Sequence, residues 1–200
     1  MISTIKKMVL AVFITALSVV AVNAQDAPKW EVDKMHTSVD FSINHFFSSV
    51  TGNFKEFDGA IYFDPNNLEG SKAEFSIAVN SVDTDNEKRD NHLASADFFN
   101  AEKYPKMTFV STKFEKKGTN DYLVHGKLTI KDVTKNIALP MKVLGTMTNP
   151  MMEGHTLMGL SFDTTLDRTD YGVGTGSWAA TAVVGDEVKV HIPMEVNRKK

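Results

Sequence analysis

The residues with chemical potential concentrate in one stretch, 81–100. Arg89 and His92 stand there among several aspartates, including Asp83, Asp85 and Asp90. An arginine's planar fork of donors suits a phosphate or carboxylate. Paired carboxylates can act as acid and base, although the same residues also cap helices and form turns. Arg168 is a second candidate cation, and His36 a further polar group near the start of a strand. His36, Arg89, His92 and Arg168 are therefore the candidates to meet a ligand's polar end. A metal centre is not indicated. The six histidines (His36, His45, His92, His125, His155, His191) show no His-x3-His pair and no His-Glu-x-x-His. There is no cysteine, which excludes a thiol nucleophile and Cys-ligated metal, and no Gly-x-Ser-x-Gly elbow. Residues 172–177 are glycine-rich but lack Gly-x-Gly-x-x-Gly spacing and have no helical pattern behind them, so they read as a loop. No cofactor is indicated.

The elements that must position these groups are strands. Val39, Phe41, Ile43 and His45 alternate with Asp40, Ser42 and Asn44, and Ala73, Phe75, Ile77 and Val79 alternate with polar neighbours. The same period of two runs from Tyr122 to Ile130, from Ile137 to Val143 and from Val188 to Val196. With 57–63, 107–114 and 157–166 this makes about eight strands, joined by short polar turns such as 117–121. The expected fold is all-β: an antiparallel sheet closing on itself. A barrel of this size either fills with side chains or holds one small ligand. Its more apolar face must point inward, which predicts a lumen lined by Phe41, Ile43, His45, Ile61, Phe63, Phe75, Ile77, Val79 and Phe109. One short helix is expected near 87–98. Asp85 is its predicted N-cap, with Lys88 at the capping-box position and Leu93, Ala96 and Phe99 at helical spacing. It should end before Tyr104-Pro105.

Residues 1–24 read as a secretory signal peptide. Lys6 and Lys7 precede an apolar run over 8–22, and Val22-Asn23-Ala24 forms a cleavage site before Gln25. The run is short for a membrane anchor, and no cysteine follows it for lipidation. The mature protein is expected to be one domain, 25–200, in the periplasm or secreted, with no stable membrane anchor. Loss of Lys6 and Lys7 takes the formal charge from −3 to −5. A mildly acidic chain without a basic cluster is a poor nucleic-acid binder.

Several pieces carry a family resemblance. They are Trp30-Glu31-Val32-Asp33, His36 to Phe41 with His45, 50–59, 81–100, 104–112, 126–135, 168–172 and 184–188. In number, order and spacing they resemble the YceI-like family of periplasmic polyisoprenoid- and lipid-binding proteins. The resemblance implies a lipocalin-like antiparallel β-barrel that binds, carries or sequesters an isoprenoid or similar long-chain lipid in its lumen, without catalysis. It leaves room for a homodimer. Two departures stand out: Ala94 replaces a frequent basic residue, and Asp132 a frequent glycine in a hairpin. Two other readings compete. One is an enzyme acting on an isoprenoid or amide lipid through His36, Asp90 and His92. The other is a packed barrel serving envelope stress or protein interaction.

Overall fold

The computed structural model describes residues 25–200; the expected signal peptide lies outside the described residues. Eleven strands form one antiparallel sheet, and three pairs of them are single strands broken once. Lys29–Val32 (β1) and Asp40–His45 (β2) make the first, Ser48–Phe54 (β3) and Phe57–Tyr62 (β4) the second, and Lys72–Ala78 (β5) and Val82–Asp83 (β6) the third. Lys106–Lys116 (β7), Asp121–Ile130 (β8), Val133–Thr148 (β9), His155–Asp167 (β10) and Val184–Lys199 (β11) follow. With each broken pair counted as one, every strand pairs with its neighbour in sequence. The last closes on the first, β11 meeting β1 at Glu31↔Asn197 and β2 at Val188↔Ile43. The result is a closed, eight-stranded antiparallel barrel with one short helix, as the period-two alternation predicts.

The break in the first strand has a chemical cause. Pro193 of β11 accepts a hydrogen bond from Ser38 N at 3.2 Å, so its missing N–H also faces the first strand. Residues 33–39 leave the ladder there, with Asp33 N still donating to Glu195 O at 2.9 Å. The third strand ends early because Pro105, which accepts from Val79 N at 2.9 Å in register with β7, has no N–H to return, and Val79 O instead accepts from Val82 N, closing a 3-10 turn over Val79–Ser81.

The two halves of the barrel interior differ. At the end where β1 begins, Trp30, Ile61, Phe63, Phe114, Tyr122, Met141, Leu160 and Val196 form a buried core. Phe63 packs edge-on against Tyr122 with centroids 5.1 Å apart, and Trp30 Nε1 donates to Phe63 O at 2.9 Å. Helix α1 (Glu87–Ala94) and the segment from Thr169 to Val183 lie at the other end, where β2, β5/β6, β7 and β11 begin or finish. Asn86, not Asp85, is the N-cap of α1: its side chain accepts from Arg89 N at 3.0 Å. Asp85 is displaced from that role because it takes φ 59° and donates its own N–H to Asp83. The helix ends at Ala94, four residues sooner than expected, where the Ser95 hydroxyl caps His92 O at 2.7 Å.

Candidate functional site

Above the packed half the barrel holds a cavity of about 230 Å³. Its wall is apolar except for Thr37, Asp40, Thr164, Arg168 and Tyr171. The boundary between core and cavity can be followed along single strands. On β9, Met141 is 2 % exposed, while Leu139 and Ile137, on the same face, are only partly buried. On β11, Val196 is fully buried, while Ile192, Val190 and Val188 are again partly buried. Inward-facing apolar side chains that stay accessible must border empty space. Small residues make room for the larger ones: the Phe75 ring lies over Gly59, where a Cβ would come within 2.2 Å of it.

Of the nine predicted lumen residues, Phe41, Ile43, Phe75, Ile77 and Phe109 lie on the cavity wall. Ile61 and Phe63 face inward but belong to the packed end. Val79 is buried in a second cluster with Val39, Phe54 and Phe98, because its strand has already ended. His45 is exposed rather than buried: β2 reaches the barrel's edge at this residue, and its ring stacks edge-on against Phe46 at 4.7 Å.

The candidate polar groups do not converge. Arg168 is 5 % exposed, and all five of its N–H groups are engaged by main-chain carbonyls. Nε donates to Gly185 O at 2.7 Å, Nη1 to Val173 O at 2.7 Å and Gly174 O at 2.5 Å, and Nη2 to Trp178 O and Val184 O, each at 2.9 Å. Burial pushes its pKa down. The guanidinium thus ties the glycine-rich loop to β11 and has no N–H left for a ligand. Arg89 is absent from the cavity wall. Its Nε donates to Thr84 Oγ1 at 2.7 Å and its Nη2 to Thr84 O at 2.7 Å, while Asp90 accepts from both the N–H and the hydroxyl of Thr84. His92 bonds Asp97 at 3.1 Å and packs edge-on against Phe98 and Trp178, centroids 5.0 and 4.8 Å away, bridging α1 and the glycine-rich loop.

His36 sits on the barrel's flank, bonded through Nδ1 to Asp33 Oδ2 at 2.8 Å. That bond raises the imidazole pKa and lowers the carboxyl's. Glu195 brings a third donor, so that one ligand atom from each residue lies within 4.8 Å of the others. Sequence spacing could not suggest this cluster, because Glu195 arrives from the last strand. Among the described residues no hydrogen bond joins any two of His36, Asp90 and His92.

The pattern of the YceI-like domain matches residues 30–196. The chain belongs to the YceI-like family. A UPF0312 protein of Pectobacterium carotovorum is 36% identical over 191 residues, covering 94% of this chain and 96% of the relative. The crystal structure of BcnA from Burkholderia cenocepacia superposes with a TM-score of 0.73 at 29% identity, over 82% of this chain and 99% of that one. A polyisoprenoid-binding domain from Saccharophagus degradans shares the fold with a TM-score of 0.62 at 16% identity, over 86% of this chain and 98% of that one.

Sequence reasoning missed part of this YceI-like barrel's wall. Leu128, Ile137, Leu139, Val188, Val190 and Ile192 line it, and their alternation was visible. What alternation lacks is the height along the barrel at which packing stops. Leu93, Phe98, Tyr171 and Val173 also reach the cavity, from segments with no strand periodicity at all.

Proposed function

We propose that this protein binds a long-chain isoprenoid or related lipid in the upper half of its barrel and carries or sequesters it without chemical change. The observation that carries the reading is the change along β9 and β11 from fully buried to accessible side chains on one apolar face. Such a cavity rewards an occupant that needs no polar partner. Each methylene withdrawn from water is worth roughly 0.8 kcal/mol. About ten give a gross ~8 kcal/mol, near micromolar affinity before ordering costs are subtracted. The Saccharophagus degradans domain, described as polyisoprenoid-binding, supports the same class of ligand. With Arg168 saturated and Arg89 off the wall, the chain of the ligand dominates recognition and an anionic headgroup is not required. A catalytic reading has less support, since His36, Asp90 and His92 are each held by a different partner.

Native mass spectrometry of protein isolated from its host tests this. A mass increment released by organic extraction as an intact long-chain lipid is the expected result. A bare mass in repeated preparations would favour a barrel without cargo, and recovery of a processed product would favour an enzyme. We also propose export, from Lys6-Lys7 and Val22-Asn23-Ala24. Amino-terminal sequencing of envelope protein should start at Gln25, and an intact Met1 there would refute cleavage.

A further inference from the structure

We infer that the β2–β3 hairpin tip, Phe46-Phe47, together with the loop that packs against it, is a membrane-docking surface that seats the cavity on a lipid bilayer. Phe47 is fully exposed and Phe46 is 57% exposed. The tip is a two-residue turn closed by His45↔Ser48, and Phe46 takes φ 49°. Glycine or asparagine is favoured at such a position, and a bulky aromatic there is a conformational outlier. Phe46 therefore carries backbone strain, both phenylalanines carry a hydration penalty, and neither contributes to the core.

The surroundings say what the tip would enter. Phe46 N donates to Val183 O at 3.0 Å, and Val184 pairs with His45, so the tip lies against the end of the glycine-rich loop. Residues 41–54 and 171–185 contain no Asp, Glu, Lys or Arg, and within residues 25–200 these are the two longest such runs. They come from opposite ends of the chain and meet at one place. Ala179, Ala180, Thr181 and Ala182, beside the tip, are all exposed. Two runs without charge, led by aromatic side chains, suit the apolar margin of a bilayer, where Phe gains by leaving water and neither run brings an ion to be desolvated. A protein partner recognised through charge does not match it. The cavity wall includes Ile43 and Val184, the latter in register with His45 beside the tip. Insertion of the tip would thus bring the upper barrel against the lipid phase. The inference rests on the lipid-carrier reading for its purpose but not for its geometry.

The test uses residues 25–200, which form a closed barrel with its own core, and neutral phosphatidylcholine vesicles. The comparison is the parent protein against the double variant Phe46→Gly, Phe47→Ser. Glycine at 46 relieves the positive φ, so the variant should fold at least as well. The parent should co-sediment with vesicles, with little change between low and high salt, because the attraction is apolar. The double variant should lose at least about tenfold in partitioning. Met151→Ser, at the exposed β9–β10 turn of the opposite end, should retain it. Binding of a fluorescent fatty acid kept below its micelle concentration should be equal in parent and double variant. Undiminished vesicle partitioning by the double variant overturns the docking assignment. So does a parent that is dimeric in solution and a variant that is monomeric, with neither binding vesicles, for the tip then joins two copies of this chain. Fatty-acid binding absent from both proteins, with vesicle binding intact in the parent, refutes the carrier reading and leaves the docking surface standing.

Discussion

Arg168 gives five N–H groups to five main-chain carbonyls, an arrangement only a guanidinium can satisfy. Lysine at this position has three donors on a flexible stem and would strand at least two buried carbonyls. Arg168→Lys should therefore cost about 1–3 kcal/mol in chemical denaturation; a change within error would show that the loop holds itself. The sequence marks Arg168 as a cation but cannot tell a ligand's partner from a loop's, since carbonyls 5 to 17 residues away leave no compositional trace. His36 gives a second residue-scale prediction. Its bond to Asp33 raises the histidine pKa and lowers the aspartate's. A raised histidine stabilises at pH values below its ordinary value of about 6.5, and that contribution fades as pH climbs through the folded value. A lowered aspartate stabilises above its ordinary value of about 3.9 and loses the effect as pH falls through the folded one. The pair is thus most favourable between those limits. An NMR titration should place His36 above the ordinary histidine value, and Asp33→Asn should bring it back; a midpoint indifferent to Asp33 would refute the coupling.

At the scale of elements, the parts that cover the cavity end are small and held by specific contacts. Alternate residues Gly172, Gly174 and Gly176 all take positive φ, between 62° and 66°. Only Gly174 is also crowded: a Cβ there would lie 2.6 Å from Arg168 Nη1 and 2.7 Å from the Phe98 ring, whereas nothing lies within 4 Å of one at Gly172. Gly172→Ala should therefore cost only the backbone penalty, about 1 kcal/mol. Gly174→Ala should cost roughly 2–4 kcal/mol, because it also dislodges Arg168 or Phe98. Thermal melts of the two variants compare them directly, and equal losses would mean the crowding is relieved for nothing. The glycine run was legible as a loop; that it wraps an arginine was not. The helix was legible too, with its cap displaced by one residue because Asp85 adopts the left-handed conformation. A similar shift occurs in the hairpin at Asp132, where the positive φ falls on Lys131 (56°) and leaves Asp132 free to accept from the Tyr104 hydroxyl at 2.9 Å.

At the scale of the whole molecule, one barrel does two jobs. Its lower half supplies a close-packed core, and its upper half leaves apolar surface uncovered, at a cost in stability that a bound lipid would offset. Filling that space should separate the two. Ile77 lies on the cavity wall. Ile77→Trp adds apolar volume where the structure has room, so unfolding free energy should change by less than about 1.5 kcal/mol. Lipid capture should fall by at least tenfold. A variant that folds and still takes up lipid with unchanged affinity would place the ligand elsewhere.

Alternation along the strands, the short turns and the count of about eight strands were determined by the sequence alone. A period-two pattern with one apolar face leaves a closed antiparallel sheet few alternatives. That much also identified Phe41, Ile43, Phe75, Ile77 and Phe109 as inward-facing. Alternation reports which face a side chain occupies and nothing about its depth, so it could not separate Ile61 and Phe63 in the packed core from Phe75 and Ile77 on the cavity wall. Depth depends on what arrives from across the barrel. Only the tertiary structure brings Met141, Leu160 and Val196 together at one end and leaves the other unfilled. It alone sets Phe46 beside Val183, joining two uncharged runs that lie more than a hundred residues apart.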